Sequence, residues 1–142
     1  MSESIDDPLL GRLTWDHSQN LWTGQAMLRT GRRVKLVLDP TDKPLDRALL
    51  LAGQGLAWVQ GNEEQARLAV ADDYLAVFNR EWTEEGPITR EEFARRIELI
   101  EIGFGPDGAP NLWYDDGDLF AGHSISAYFD ANGRFRNASL FG

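Results

Sequence analysis

Apolar residues in this chain change their spacing twice, and that change limits the folds open to it. Before residue 40 they alternate, as Val34, Leu36 and Leu38 do, which lines one face of a strand. From residue 44 to about 97 they recur at intervals of three and four, the spacing of a helix face. From residue 99 alternation returns, with Ile125, Ala127 and Phe129 on one side and Ser124, Ser126 and Tyr128 on the other. Strands segregated from helices along a chain predict an α+β fold. The expected architecture is an antiparallel sheet built from an N-terminal meander and C-terminal hairpins, with two or three helices packed on one face. A length of 142 residues suits one domain. Residues 1–10 read as an N-terminal tail and 11–142 as the domain.

Local signals place the elements. Strands are expected at 11–16, 21–29 and 32–39, with Thr30-Gly31 as a hairpin connector. Asp39-Pro40-Thr41-Asp42 ends the meander and offers a helix cap. A first helix is expected at 44–60. Its Gly53 and Gly55 each weaken it by about 1 kcal/mol relative to Ala, so they signal a kink or a close approach to the sheet. Asn62-Glu63-Glu64-Gln65 reads as the capping box of a second helix, whose stripe of Ala66, Val70, Tyr74 and Phe78 ends near Trp82. Thr89-Arg90-Glu91-Glu92 caps a short helix to about 97. Strands follow at 99–104, 110–114, 123–130 and 134–141, the last two joined by the hairpin signal Ala131-Asn132-Gly133.

Charge narrows the function classes. The net charge of −9 is unevenly spread: residues 1–60 hold seven acids and seven bases, and residues 61–142 hold sixteen acids and seven bases. The second part repels phosphates, so no nucleic-acid partner is expected. It attracts a basic protein and speeds the encounter. The same acidity also keeps a protein soluble, with no partner at all. Cysteine is absent, which excludes disulfides, thiolate metal sites and a cysteine nucleophile. The N-terminus lacks an apolar core of the signal-peptide kind, and the longest apolar run, around residues 48–52, is far short of a membrane span. A cytoplasmic protein with no membrane partner is expected.

The densest candidate chemistry is Asp115, Asp116, Asp118 and His123 in the run DDGDLFAGH. Asp116 and Asp118 are spaced like the start of a calcium loop, but the twelfth position from Asp116 is Ala127, which has no carboxylate. Asp and Gly are also what a tight turn requires. His123 opens a strand and could be a base, a ligand or a structural hydrogen-bond partner. As a base it needs an orienting group, which one of the three aspartates could supply. Ser124 and Ser126 lie close in sequence, but His123 and Ser124 point to opposite faces of a strand. No nucleophile elbow, phosphate loop, dinucleotide fingerprint or zinc-protease motif occurs. The pairs Asp72-Asp73, Glu84-Glu85 and Glu91-Glu92 read as solvated faces, with Asp73 the one expected near the core and partnered by an Arg. Trp113 and Tyr114 are adjacent on a strand, so they point to opposite faces and one is a candidate for a binding surface.

The segments Asn79-Arg80-Glu81-Trp82 and Leu119-Phe120-Ala121-Gly122-His123-Ser124-Ile125, with the closing Leu140-Phe141-Gly142, resemble an uncharacterised bacterial family, the domain-of-unknown-function family 2262. The likeness extends over nearly the whole chain from about Gly11. It implies that Gly122-His123 belongs to the family pattern, and it implies no established activity. By analogy, small acidic chains of this kind are similar to immunity proteins of bacterial toxin systems. The reading is a non-enzymatic binding protein without cofactor or metal, which meets a basic protein through an acidic surface carrying an exposed aromatic. Binding residues are expected among His123, Asp115, Asp116, Asp118, Trp113 and Tyr114. The alternatives are a metal-assisted hydrolase using His123 with Asp115, Asp116 or Asp118, and an accessory domain in which Gly122-His123 only shapes a turn.

Overall fold

The computed structural model describes residues 3–40 and 44–142. Eight strands form one sheet in sequence order. They are β1 (Ser4–Asp7), β2 (Gly11–Asp16), β3 (Leu21–Met27), β4 (Arg33–Leu38), β5 (Glu98–Phe104), β6 (Pro110–Asp115), β7 (Ser124–Phe129) and β8 (Phe135–Phe141). Between β4 and β5 lie helix α1 (Leu45–Val77), a π-helical turn (Phe78–Trp82) and helix α2 (Arg90–Arg96). The α+β class therefore holds. Every neighbouring pair is antiparallel except β4 and β5, which run parallel with Leu36 opposite Ile102. A parallel pair needs a long crossover, and the helical segment supplies it. No helix among the described residues is long and apolar enough to cross a membrane.

Two expectations are corrected. Residues 4–7, read as tail, form β1 and pair with β2 from Ser4 opposite Thr14 to Asp7 opposite Gly11. The turn that follows is held by the Asp7 carboxylate, which accepts from the N–H groups of Leu9 and Leu10, each at 2.9 Å. The two helices expected at 44–60 and 62–82 are one continuous helix of 33 residues. Its supposed capping box lies mid-helix. Asn62 donates its side-chain amide back to the Trp58 carbonyl at 2.8 Å, and Glu63 pairs with Arg67 one turn on. The buried residues Ala52, Val59 and Ala66, spaced by seven, carry one apolar stripe straight through the junction, so burial overrides the local cap signal. Of the expected cap at 39–42, Thr41 and Asp42 lie outside the described residues; Pro44 precedes α1 with no side-chain cap.

Helix α1 packs on the face formed by Leu36, Leu38, Phe104, Leu112, Ile125 and Phe129, all buried. The glycines flagged above mark close approach. A Cβ at Gly55 would overlap the Gly108 carbonyl and crowd Phe104, and one at Gly53 would overlap Leu9. Trp58 sits against Phe129 with ring centroids 5.0 Å apart, and Tyr74 donates to the Ala138 carbonyl of β8 at 3.3 Å. Arg67 ties the helices to the sheet. It holds Glu63 at 2.5 Å, donates to the carbonyls of Ala94 and Ile97 at 2.9 and 3.0 Å, and lies over the Tyr114 ring. Those carbonyls belong to the C-terminal turn of α2, where helix acceptors are otherwise orphaned.

Candidate functional site

The loop between β6 and β7 is organised around one carboxylate. Asp116 is fully buried and accepts four backbone N–H bonds, from Asp118, Phe120, Gly122 and His123, at 2.8 to 3.1 Å. A buried charge is tolerated only when its acceptor sites are filled, and here the loop wraps itself to fill them. The wrapping requires left-handed backbone at Gly117, Asp118, Ala121 and Gly122. At Gly117 the conformation is joined by a close approach, since a Cβ there would overlap the Arg96 carbonyl. Asp115, at the end of β6, is exposed and accepts from Gly117 N–H at 3.2 Å.

Wrapping the loop drives Phe120 into an aromatic box. Its ring lies 5.7 Å from Phe78, 5.2 Å from Trp82, 6.0 Å from Phe93 and 5.8 Å from Tyr74, all edge to face. That is a favoured aromatic geometry. The π-helical turn matters here, because it sets both Phe78 and Trp82 against the same ring. His123 closes the box. Its ring stands edge-on to Trp82 at 5.8 Å, and Nδ1 donates to the Phe120 carbonyl. A carbonyl only accepts, so the proton resides on Nδ1. Nε2 faces Gly142, where there is no room for a Cβ.

The six residues expected at a site are thus distributed as follows. Asp116 and His123 are brought together, but through the His123 backbone N–H, and among the described residues no carboxylate accepts from the imidazole. Asp115 and Asp118 face solvent. Tyr114 is fully buried and its hydroxyl has no hydrogen-bond partner; burial pushes its pKa well up, with the Glu63 charge adding to the rise and Arg67 opposing it. Trp113 points to the other sheet face, half-buried against Phe141 at 5.2 Å. Ser126 donates to Asn111, not to an imidazole. No three His, Asp or Glu side chains among the described residues are grouped to hold a metal. The expected Arg partner in the 72–73 pair goes to Asp72, held by Arg90 at 2.5 Å, while Asp73 is exposed.

Beside the box lies a cleft of about 580 Å³, bounded by the π-helical turn, the connector to α2 and the Asp116 loop. Its lining includes Glu81, Trp82, Glu84, Glu85, Arg96 and Asp118. Trp82 is 37% exposed. Both walls are pinned. Asn79 pairs with the Ile88 backbone in both directions, donating to its carbonyl at 3.1 Å and accepting its N–H at 2.9 Å. Thr83 donates to the Gly86 carbonyl. Arg96 is turned toward the Gly117 carbonyl at 3.1 Å. Glu84, Glu85 and Asp118 form no ion pair among the described residues. Sequence reasoning placed Glu84-Glu85 in a connector and missed this convergence. The available signal was Asn79 and Trp82 immediately before an acidic run.

Residues 7–140 match the model of a family described as an uncharacterised protein conserved in bacteria (DUF2262). Searches of curated proteins and of solved structures return no match.

Proposed function

The chain belongs to the DUF2262 family of uncharacterised bacterial proteins, and on that premise we propose that it is a non-enzymatic cytoplasmic binding protein whose partner is a basic protein. A toxin of basic charge is the partner that the immunity-type analogy favours. In this reading the helices occupy one face of the sheet, and their far end presents the binding cleft. One observation carries the proposal: Glu81, Glu84, Glu85 and Asp118 share a cleft with the exposed indole of Trp82. Carboxylates steer and hold a cationic side chain, and an indole face binds the same group by cation–π attraction. The pinned walls limit the ordering that binding must cost. The Asp116 loop and His123 then serve as scaffold for one wall. Capture from a bacterial lysate at low salt tests this. The wild-type chain is expected to retain a basic protein that E84K/E85K and Trp82→Ala each lose. Retention of nothing by the wild type, or equal retention by the charge-reversed variant, overturns it.

A further inference from the structure

The face of the sheet turned away from α1 has its own chemistry. Register fixes which residues share it. One row crosses all eight strands, from Ser4 on β1 through Thr23, Gly103 and Tyr128 to Asn137 on β8, and no residue in it is charged. The next row contains one basic and one acidic group, Lys35 and Glu101, which face each other at 3.9 Å and continue into Trp113 and Ser126. Met27, Tyr128 and Phe141, on the same face, are 54%, 51% and 51% exposed. At the centre Gly103 leaves a notch. A Cβ there would meet nothing nearer than the Asn111 carbonyl at 3.9 Å.

We propose that this face is where two copies of the chain meet, sheet against sheet. Each copy carries −9, so most approaches between copies are repulsive. The two central rows, neutral apart from one internal ion pair, offer a contact that keeps the carboxylates of both bodies apart. The size is adequate: eight strands about 4.8 Å apart and about 18 Å long present roughly 700 Å² per copy, near the ~800 Å² per partner of a standard interface. Twisted sheets stack face to face at about −30°, so twist does not prevent the contact. The row is rich in Thr, Ser and Asn as well as Tyr, which suits a reversible dimer better than a permanent one. This contact is independent of the acidic cleft.

Sedimentation and light scattering of the full chain over a wide concentration range test the proposal. The wild type is expected to pass from monomer to dimer. Raising salt from about 0.01 to 0.15 M shortens the Debye length from ~30 to ~8 Å, screens the repulsion and strengthens the dimer. Gly103→Arg fills the notch and Tyr128→Glu charges the row; each should weaken dimerisation at least about tenfold, a change of ~1.4 kcal/mol. Circular dichroism and melting of each variant check its fold, and Tyr128→Glu, at an exposed position, stands in if Gly103→Arg unfolds. A wild type monomeric at every concentration overturns the proposal. So does a dimer that salt weakens, which would mark an ionic contact elsewhere, or a dimer that neither substitution changes.

Discussion

At the scale of single residues, Asp116 does the most for the candidate site. Four N–H groups converge on its carboxylate, and none has another acceptor among the described residues. Asp116→Ala leaves them buried and unsatisfied, so a loss of about 3–5 kcal/mol is expected, read as a fall in urea midpoint. The neighbouring glycines separate conformation from crowding. Gly117 and Gly122 both have positive φ, 58° and 86°, but only Gly117 lies against backbone. Gly122→Ala should cost about 1–2 kcal/mol, the left-handed penalty alone. Gly117→Ala adds an overlap with the Arg96 carbonyl and should cost about 2–4 kcal/mol. Equal losses at the two positions would remove the crowding argument. The sequence showed an Asp- and Gly-rich turn here. It did not show which aspartate is buried, because that depends on where β6 ends relative to α2.

At the scale of elements, α1 resolves a conflict between local and tertiary signals. Asn62-Glu63-Glu64-Gln65 has the composition of a helix start, yet the helix runs through it. Two glycines in the same helix test how far packing decides. Gly61 faces open space and has ordinary helical backbone, so Gly61→Ala should stabilise by about 0.5–1 kcal/mol. Gly55→Ala gains the same propensity but drives a methyl into the Gly108 carbonyl, and should be net destabilising by about 1–3 kcal/mol. Thermal melts of the two variants should therefore shift in opposite directions. The glycines were legible as a departure from good helix sequence, and the choice between kink and close approach required the sheet. The strand spacing was more readable: β2 matches the expected 11–16, and β5 to β8 begin and end within a residue or two of expectation. β1 was hidden because four residues, two of them aspartates, carry too little periodic signal.

At the scale of the whole molecule, sheet turns on opposite sides of the crossover share an acid-sensitive device. Asp16 is held below its ordinary pKa of 3.8 by hydrogen bonds, chiefly from the Ser18 side chain, and Asp130 by N–H bonds, first that of Arg134. For carboxyls depressed in the folded state, the stabilisation is present above the unfolded value and lost as pH falls through the folded one. Stability should therefore be flat in these two groups above about pH 5 and decline below the ordinary 3.8. D16N/D130N should be less stable near neutrality and show a shallower acid decline; an acid limb parallel to the wild type would contradict this assignment.

The sequence by itself determined which stretches alternate, which run helical and where the negative charge resides, because these depend on neighbours a few residues away. The tertiary structure alone decided how the two halves of the sheet join, with Lys35 on β4 set parallel to Glu101 on β5. It also decided that Asp116 is buried while Asp115 and Asp118 are not, and that Trp82 shares a cleft with carboxylates from three separate segments. Burial and convergence are properties of pairs of residues far apart in the chain. Only the docking of α1 on the sheet brings those pairs together.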